Sequence, residues 1–124
     1  MGEKTEQEIC KEIANLHEYI IAAGVIENRQ LAARFSKVGD PPAGEERLKI
    51  LFAQPDIMLS IARTNEDFFG KLRFLILCFE TSDIAFFPAY VRGTEKTLFI
   101  RMQRSFRGEE IVRKVYDYLE KKSP

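Results

Sequence analysis

Three apolar runs in the second half of the chain predict the centre of the fold. They occupy residues 72–79, 84–91 and 97–103, and short polar segments separate them. The runs are rich in β-branched and aromatic residues, which favour strands, and the segments between them contain turn residues. This pattern predicts three consecutive strands of an antiparallel meander. Pro88 lies in the second run and has no N–H to donate, so a bulge or a short break is expected there.

The first half of the chain predicts two further strands. Residues 19–26 form a continuous apolar run, too short and too β-branched for a separate helix, and residues 31–36 alternate between apolar and polar side chains. Glu27-Asn28-Arg29-Gln30 lies between them, and Asn28 tolerates the left-handed conformation that a tight turn uses. We therefore expect a hairpin whose first strand is buried on both faces and whose second strand lies at a half-exposed edge.

Both ends of the chain predict amphipathic helices. Residues 3–18 carry apolar side chains at helical spacing, and Thr5 followed by Glu8 has the spacing of a capping box. Residues 109–121 carry a second apolar stripe, with acidic residues in the first turn and lysines in the last. The two stripes are Ile9, Ile13 and Leu16, and then Ile111, Val112, Val115, Tyr116 and Leu119.

A third helical pattern covers residues 45–67 and contains a proline. Pro55 removes one backbone donor and biases Gln54 away from the helical conformation. Two outcomes are open at this stage. The segment forms either one kinked helix or two shorter helices joined at Gln54-Pro55.

Taken together, the segments predict an α+β fold. The element order is α-β-β-α-β-β-β-α, which gives one five-stranded antiparallel sheet sandwiched between helices. With 124 residues, 45% of them apolar, the chain is expected to form a single domain over residues 1–124. Residues 1–8 are polar and charged rather than apolar, so no signal peptide is predicted and a cytoplasmic location is expected.

This arrangement resembles the roadblock/LC7 domains, which have a profilin-like architecture, and small archaeal proteins of uncharacterised function. The resemblance covers nearly the whole chain and includes the buried run IIAAGVI, the turn ENRQ and the following LAARF. It implies the strand order 2-1-5-4-3, with the terminal helices on one face of the sheet and the middle helix on the other. It also implies a non-enzymatic scaffold or regulator of small GTPases or motors, acting as a dimer.

A second family offers an alternative. The PAS and GAF sensor domains share the order of two strands, helices and three strands. A chain of that class would be a small-molecule sensor rather than a scaffold. It would need an internal cavity between the sheet and the middle helix, whereas a scaffold should be solidly packed there.

The strand order implied by the resemblance places residues 72–79 at an edge of the sheet. An apolar edge strand without proline or inward charge is an aggregation hazard unless another strand pairs with it. The resemblance implies that this strand and the preceding helix pair with their copies across a two-fold axis, giving a homodimer with a ten-stranded sheet. Alternatively, the strand is central in the monomer. The expected interface residues are Leu72, Phe74, Ile76, Cys78, Ile57, Met58, Ile61 and Ala62.

Candidate chemistry is sparse in this sequence. His17 is the only histidine, and Cys10 lies seven positions before it. Two ligands do not make a zinc site, and no acid can be named that would orient a Cys–His nucleophile. We therefore predict no catalytic residue, no metal site and no cofactor.

A basic segment near the carboxyl end is a candidate binding face for an acidic protein. Arg101, Arg104 and Arg107 lie close together in it, interleaved with Phe99 and Phe106. Basic and aromatic residues in alternation also bind single-stranded nucleic acid, but a net charge of zero and a pI near 6.6 argue against that partner. The longest apolar run is too short to span a bilayer, so no membrane partner is expected.

Overall fold

The computed structural model describes residues 4–39, 45–91, 93–104 and 108–122. Within these residues the backbone forms four helices and five strands, in the predicted order except that the middle helix is followed by a short additional one. The elements are α1 (Glu6–Ala14), β1 (Ile20–Glu27), β2 (Gln30–Ser36), α2 (Glu45–Arg63), α3 (Glu66–Phe69), β3 (Leu75–Cys78), β4 (Ser82–Val91), β5 (Thr94–Gln103) and α4 (Gly108–Lys122).

The five strands form one antiparallel sheet in the order β2-β1-β5-β4-β3, which confirms the predicted order. The longest ladder joins β4 to β5, from Ser82 opposite Gln103 to Val91 opposite Thr94. β3 pairs with β4 alone and lies at one edge of the sheet. The alternative in which this strand is central is therefore wrong.

Helices cover both faces of the sheet. Cys10 and Ile13 of α1 and Val112 and Val115 of α4 are fully buried in one cluster with sheet residues that include Phe87. α2 lies over the other face, where Leu59 is buried and the Phe52 ring packs against the Phe99 ring at 5.6 Å. The terminal helices thus share one face and α2 has the other, as predicted.

A glycine in β1 makes room for the side chain on which α2 packs. A Cβ atom at Gly24 would lie 2.3 Å from Cε1 of Phe99, the residue opposite it on β5. No real Cβ atom approaches a carbon so closely, so the Phe99 ring can lie across β1 only because residue 24 has no side chain. Phe99 is therefore half-buried under α2.

The β1–β2 hairpin has the predicted tight turn. Asn28 and Arg29 both adopt positive φ angles, 53° and 64°. Two consecutive residues of this kind are typical of the type I′ turn, whose twist matches that of the flanking strands. The β4–β5 hairpin is also tighter than expected, since Val91 pairs with Thr94 and β5 begins three residues earlier than predicted.

α1 is shorter than the predicted 3–18 helix. The Thr5 side chain accepts a hydrogen bond from the Glu8 N–H at 3.1 Å, and this confirms the N-cap. The helix ends at Ala14 because Asn15 turns back, with its side-chain amide donating to the Lys11 carbonyl at 2.9 Å. Leu16 has helical spacing with Ile9 and Ile13, and for this reason the predicted helix extended beyond its observed end.

The expectation of a bulge or break at Pro88 is wrong, and of the two alternatives at Pro55 the single helix is observed. β4 passes through Pro88 without a bulge, because β3 begins only at Leu75, opposite Phe86, so that β4 has no neighbour on that side at Pro88 and a proline is tolerated there. α2 also continues through Pro55 as one helix, so two helices joined there are excluded. The buried Pro55 packs toward the sheet, and the break comes later, at Thr64 and Asn65.

β3 is shorter than the predicted 72–79 strand. The N–H of Leu72 donates to the Glu66 carboxylate at 2.8 Å, so the residues before β3 are held by α3 rather than by a neighbouring strand. This bond lowers the pKa of Glu66, because it stabilises the charged carboxylate.

Candidate functional site

The hydrogen bonds of β3 leave one side of its backbone facing outward. The Phe79 N–H donates to the Ser82 carbonyl at 3.0 Å, so these two residues form a bonded pair at the turn. Bonded and non-bonded pairs alternate along an antiparallel ladder. The N–H and C=O groups of Ile76 and Cys78 therefore face away from β4. We call these outward groups, together with the Leu75–Cys78 backbone, the β3 edge.

Most side chains next to these outward backbone groups pack inward rather than facing solvent. Phe74 packs on Phe87 and on Tyr116, with ring centroids 5.9 and 6.1 Å apart, and Ile76 packs against the same core. The Cys78 side chain is exposed. Phe74 and Ile76 can thus contribute backbone groups to an interface while their side chains hold β3 against the domain.

The four α2 residues of the expected interface differ in exposure. Ile57 and Ile61 are exposed, and Met58 and Ala62 are half-buried. Ala62 also lines a cleft of about 370 Å³ at the end of α2. We call this the α3 cleft; its lining is Ala62, Asn65, Glu66, Phe69, Gly70, Lys71, Leu72, Arg73 and Phe74. The structure therefore brings Ala62, Leu72 and Phe74 together.

Two aromatic residues beside this cleft were missed by the sequence analysis. Phe68 and Phe69 of α3 have 78% and 87% of their surface exposed, and Phe79 after β3 has 55% exposed. Large apolar side chains grouped on a surface commonly mark an interaction site. The sequence does contain a signal for this patch. Two adjacent phenylalanines precede Gly70, and they lie outside the apolar stripe of the preceding helix.

The structure describes two of the three arginines of the predicted basic face. Nε of Arg101 lies 3.3 Å from the Ser82 hydroxyl, and Nη1 of Arg104 lies 3.3 Å from the Glu80 carbonyl, to which it donates. Both arginines therefore hold the turn between β3 and β4 against the end of β5. Arg107 lies outside the described residues.

The apolar part of the space between α2 and the sheet is small. A cavity of about 100 Å³ lies there, lined mainly by apolar residues that include Phe52 and Phe86, with Arg34 and Arg101 also in its wall. Ligand pockets typically measure about 300–1,000 Å³. This apolar cavity is therefore smaller than the ligand-sized cavity that the sensor alternative needs.

One carboxylate joins α2 to the β1–β2 turn and to β5. Asp56 accepts hydrogen bonds from the Arg29 N–H at 3.0 Å and from the Thr97 hydroxyl at 2.5 Å. It lies in a polar cleft of about 410 Å³ whose walls hold two ion pairs, Arg63 with Glu95 and Lys96 with Glu27. Because the charges of each pair neutralise each other, these pairs do not give the cleft a field of one sign.

Lys96 belongs to a half-buried ion cluster that ties the start of α1 to the sheet. Its ammonium group pairs with Glu6 and, at 3.3 Å, with Glu27. The hydrogen bond that it donates to Glu6 is the largest influence that raises the pKa of Lys96 above its ordinary value, although burial opposes it.

The two residues considered for nucleophilic or metal chemistry lie in structural positions. Cys10 is fully buried, and burial, with a smaller effect of Glu6, raises its pKa to about 12, so the reactive thiolate is absent near neutral pH. Nδ1 of His17 accepts a hydrogen bond from the Tyr19 N–H at 3.0 Å. Among the described residues there is no group of three or more side chains able to hold a metal ion.

In the part of the chain that the structure describes, every helix is too short or too polar to cross a membrane.

Several solved structures share this fold over nearly the whole chain. A roadblock/LC7 domain from Streptomyces avermitilis has a TM-score of 0.61 at 11% identity and covers 94% of this chain and 99% of that one. The gliding protein MglB from Thermus thermophilus also has a TM-score of 0.61, at 10% identity, over 98% and 96% of the two chains. An MglB with a tetrameric arrangement gives 0.61 at 11% identity, over 98% and 95%.

These similarities show the fold, an α+β domain with roadblock/LC7 topology. The sequence matches no protein-family model and no curated protein. The resemblance stated from element order is thus confirmed at the level of three-dimensional structure.

Proposed function

We propose that this protein is a non-catalytic scaffold or regulator that forms a homodimer through the β3 edge and the exposed side of α2. The observation that carries the proposal is the outward backbone of Ile76 and Cys78. An unprotected edge of this kind is a template for another strand. Ile57 and Ile61 of α2, which belong to the expected interface, are exposed and supply apolar surface for it. An MglB of the same fold has a tetrameric arrangement.

The backbone pattern restricts the register of such a dimer. In a two-fold antiparallel pair, outward-facing residues must meet outward-facing residues. If the two-fold axis passes midway between Ile76 and its copy, these two residues face each other. Cys78 then faces Phe74 of the partner subunit. That register gives three bonded pairs, the largest number that this short strand allows.

The test is a pair of substitutions at one exposed position. Cys78→Pro removes an outward N–H and leaves the β3–β4 ladder intact, so we expect a folded monomer. Cys78→Ser keeps the donor and should remain dimeric. Sedimentation at about 10 μM would measure both masses, with circular dichroism as the check of folding. A monomeric wild type, or a Cys78→Pro variant that dimerises as well as Cys78→Ser, would contradict the proposal.

The proposed partner of the dimer is a small GTPase or another acidic protein. Support comes from the roadblock/LC7 fold and from the basic residues Arg101 and Arg104, which lie beside the β3–β4 turn. Calorimetry with small GTPases of the source organism, loaded with GDP or a GTP analogue, would test this. We expect Arg104→Glu to weaken binding by about tenfold when it is measured at a concentration at which the variant and the wild type are both dimeric. Lys114→Glu, an exposed reversal on α4, is the matched control, and equal effects of both would refute the basic face.

A further inference from the structure

The exposed aromatic residues near β3 lie at both of its ends. Phe68 and Phe69 precede the strand, Phe69 lines the α3 cleft, and Phe79 follows the strand directly. All three side chains are more than half exposed, at 78%, 87% and 55%. Within one subunit, β3 lies between Phe69 and Phe79 along the chain, and the described residues leave all three rings exposed.

Exposed charged residues also lie at both ends of β3. Lys71 and Arg73 are exposed before β3, and both line the α3 cleft. Glu80 is exposed after the strand, and its carbonyl is held by Arg104. Lys71 and Arg73 thus place two cations before the strand, with Glu66 in the same cleft. Glu80 places one exposed carboxylate after it, beside Arg104. Two copies that run antiparallel bring Glu80 of one toward Lys71 and Arg73 of the other, whereas a parallel pair would bring these cations toward their own copies.

Two-fold pairing turns this into a specific contact. With the axis through Ile76, a residue three positions after the axis faces one three positions before it. Phe79 then lies opposite Arg73 of the partner subunit, and Glu80 lies between Lys71 of the partner subunit and that arginine. Arg73 is itself held in place, with its guanidinium carbon 5.6 Å from the Phe74 ring centroid and 5.9 Å from that of Tyr116.

We propose that Phe79 of each subunit occupies the α3 cleft of the other, covered by Phe69 and fixed by Glu80 against the basic residues. This rests on the homodimer proposed above and goes beyond it, because it completes a site with a residue from the second copy. The contact occurs twice in each dimer. A substitution on one chain therefore counts twice in the dimer dissociation constant.

The first test is Phe79→Ala, measured by sedimentation equilibrium of the full chain. Losing a well-packed aromatic anchor at both sites should raise the dimer dissociation constant about 100-fold. Val38→Ala is the matched control, since Val38 is also 55% exposed but follows β2 at the opposite edge of the sheet. Phe69→Ala, which alters the most exposed of these side chains, should act in the same direction as Phe79→Ala.

The second test exchanges the charges. Glu80→Lys should weaken the dimer about tenfold, and the double variant Glu80→Lys with Lys71→Glu should recover most of that loss, because both reversed contacts lie on every chain. If Phe79→Ala leaves the dissociation constant unchanged while Cys78→Pro still gives monomer, the aromatic contact is wrong and the edge-paired dimer stands. If the wild type is monomeric, both are wrong.

Discussion

The two edges of the sheet are treated in opposite ways. At the β2 edge, the Lys37 N–H donates to the Ile21 carbonyl at 2.9 Å, and by alternation the Arg34 carbonyl faces outward. The side chain of Gln7 in α1 reaches that carbonyl and donates to it at 2.5 Å. At the β3 edge, the described residues provide no such side chain for the outward groups of Ile76 and Cys78.

This difference bears on the kind of assembly that the chain can form. A sheet with two open edges can add copies at both sides and grow without limit. A sheet with one covered edge and one open edge can close as a pair across a two-fold axis. In the proposed dimer, α1 therefore has a role besides core packing, because its placement over β2 leaves the β3 edge as the side open to a second copy.

The largest expected effect comes from moving a proline by one residue along β3. Leu77 is in a bonded pair with Ile84, so Leu77→Pro removes a ladder hydrogen bond and should lower the free energy of unfolding by about 2–3 kcal/mol. The N–H of Cys78 faces away from β4, so Cys78→Pro should lower the free energy of unfolding much less. Urea unfolding of both variants under monomeric conditions would measure this. Equal losses would show that the inferred direction of the backbone groups is wrong.

An intermediate effect is expected on the covered side of the sheet, through pH. Burial raises the pKa of Cys10 from 9.0 to about 12, so the folded state retains a proton that the unfolded state loses. This stabilisation is complete below pH 9 and declines as the pH rises toward 12, by about 1.4 kcal/mol per unit. Urea unfolding at about pH 8 and 10.5 should differ by about 2 kcal/mol.

Cys10→Ala is the control for that titration. The variant removes the thiol and should show a smaller loss over the same pH interval. Part of the loss should persist, because the pKa of Tyr118 is also raised, to about 12, by burial and by Glu12. An unchanged pH dependence in Cys10→Ala would exclude the thiol as a cause.

The smallest expected effect comes from uncovering the β2 edge. Gln7→Ala removes the hydrogen bond to the Arg34 carbonyl and should cost about 0.5–1 kcal/mol, since the contact is exposed to solvent. Lys11→Ala, an exposed substitution on the same helix, is the control. At high concentration, Gln7→Ala should also form species larger than a dimer, detectable by light scattering. A variant as stable and as dimeric as the control would show that α1 protects the edge by packing alone.

The sequence predicted the elements wherever apolar periodicity and turn chemistry agreed. The Asn28 turn, the Thr5 cap and the stripe of α4 were all recognisable, because each depends on residues close together in the chain. The strand order came from the resemblance and not from periodicity. Its confirmation depends on the observed pairing of β1 with β5, which no local pattern reveals.

The errors arose where a distant contact outweighed local preference. β4 continues through Pro88 because its neighbour β3 begins only opposite Phe86, and the choice left open at Pro55 is decided by a residue buried toward the sheet inside the single helix α2. The inner packing of Ile76 was also not predictable, since both faces of β3 are apolar in sequence. The bonds of Asp56 could not be foreseen either, because its partners lie 27 and 41 residues away.

Those separations have a consequence for the order of folding. Asp56 can bind Arg29 and Thr97 only after both hairpins have formed, and contacts between distant residues carry a loop-closure cost that delays them. We therefore expect α2 to dock after the rate-limiting step, so that Asp56→Ala accelerates unfolding and leaves the refolding rate nearly unchanged. A chevron plot in which the refolding arm moves as much as the unfolding arm would place this docking earlier.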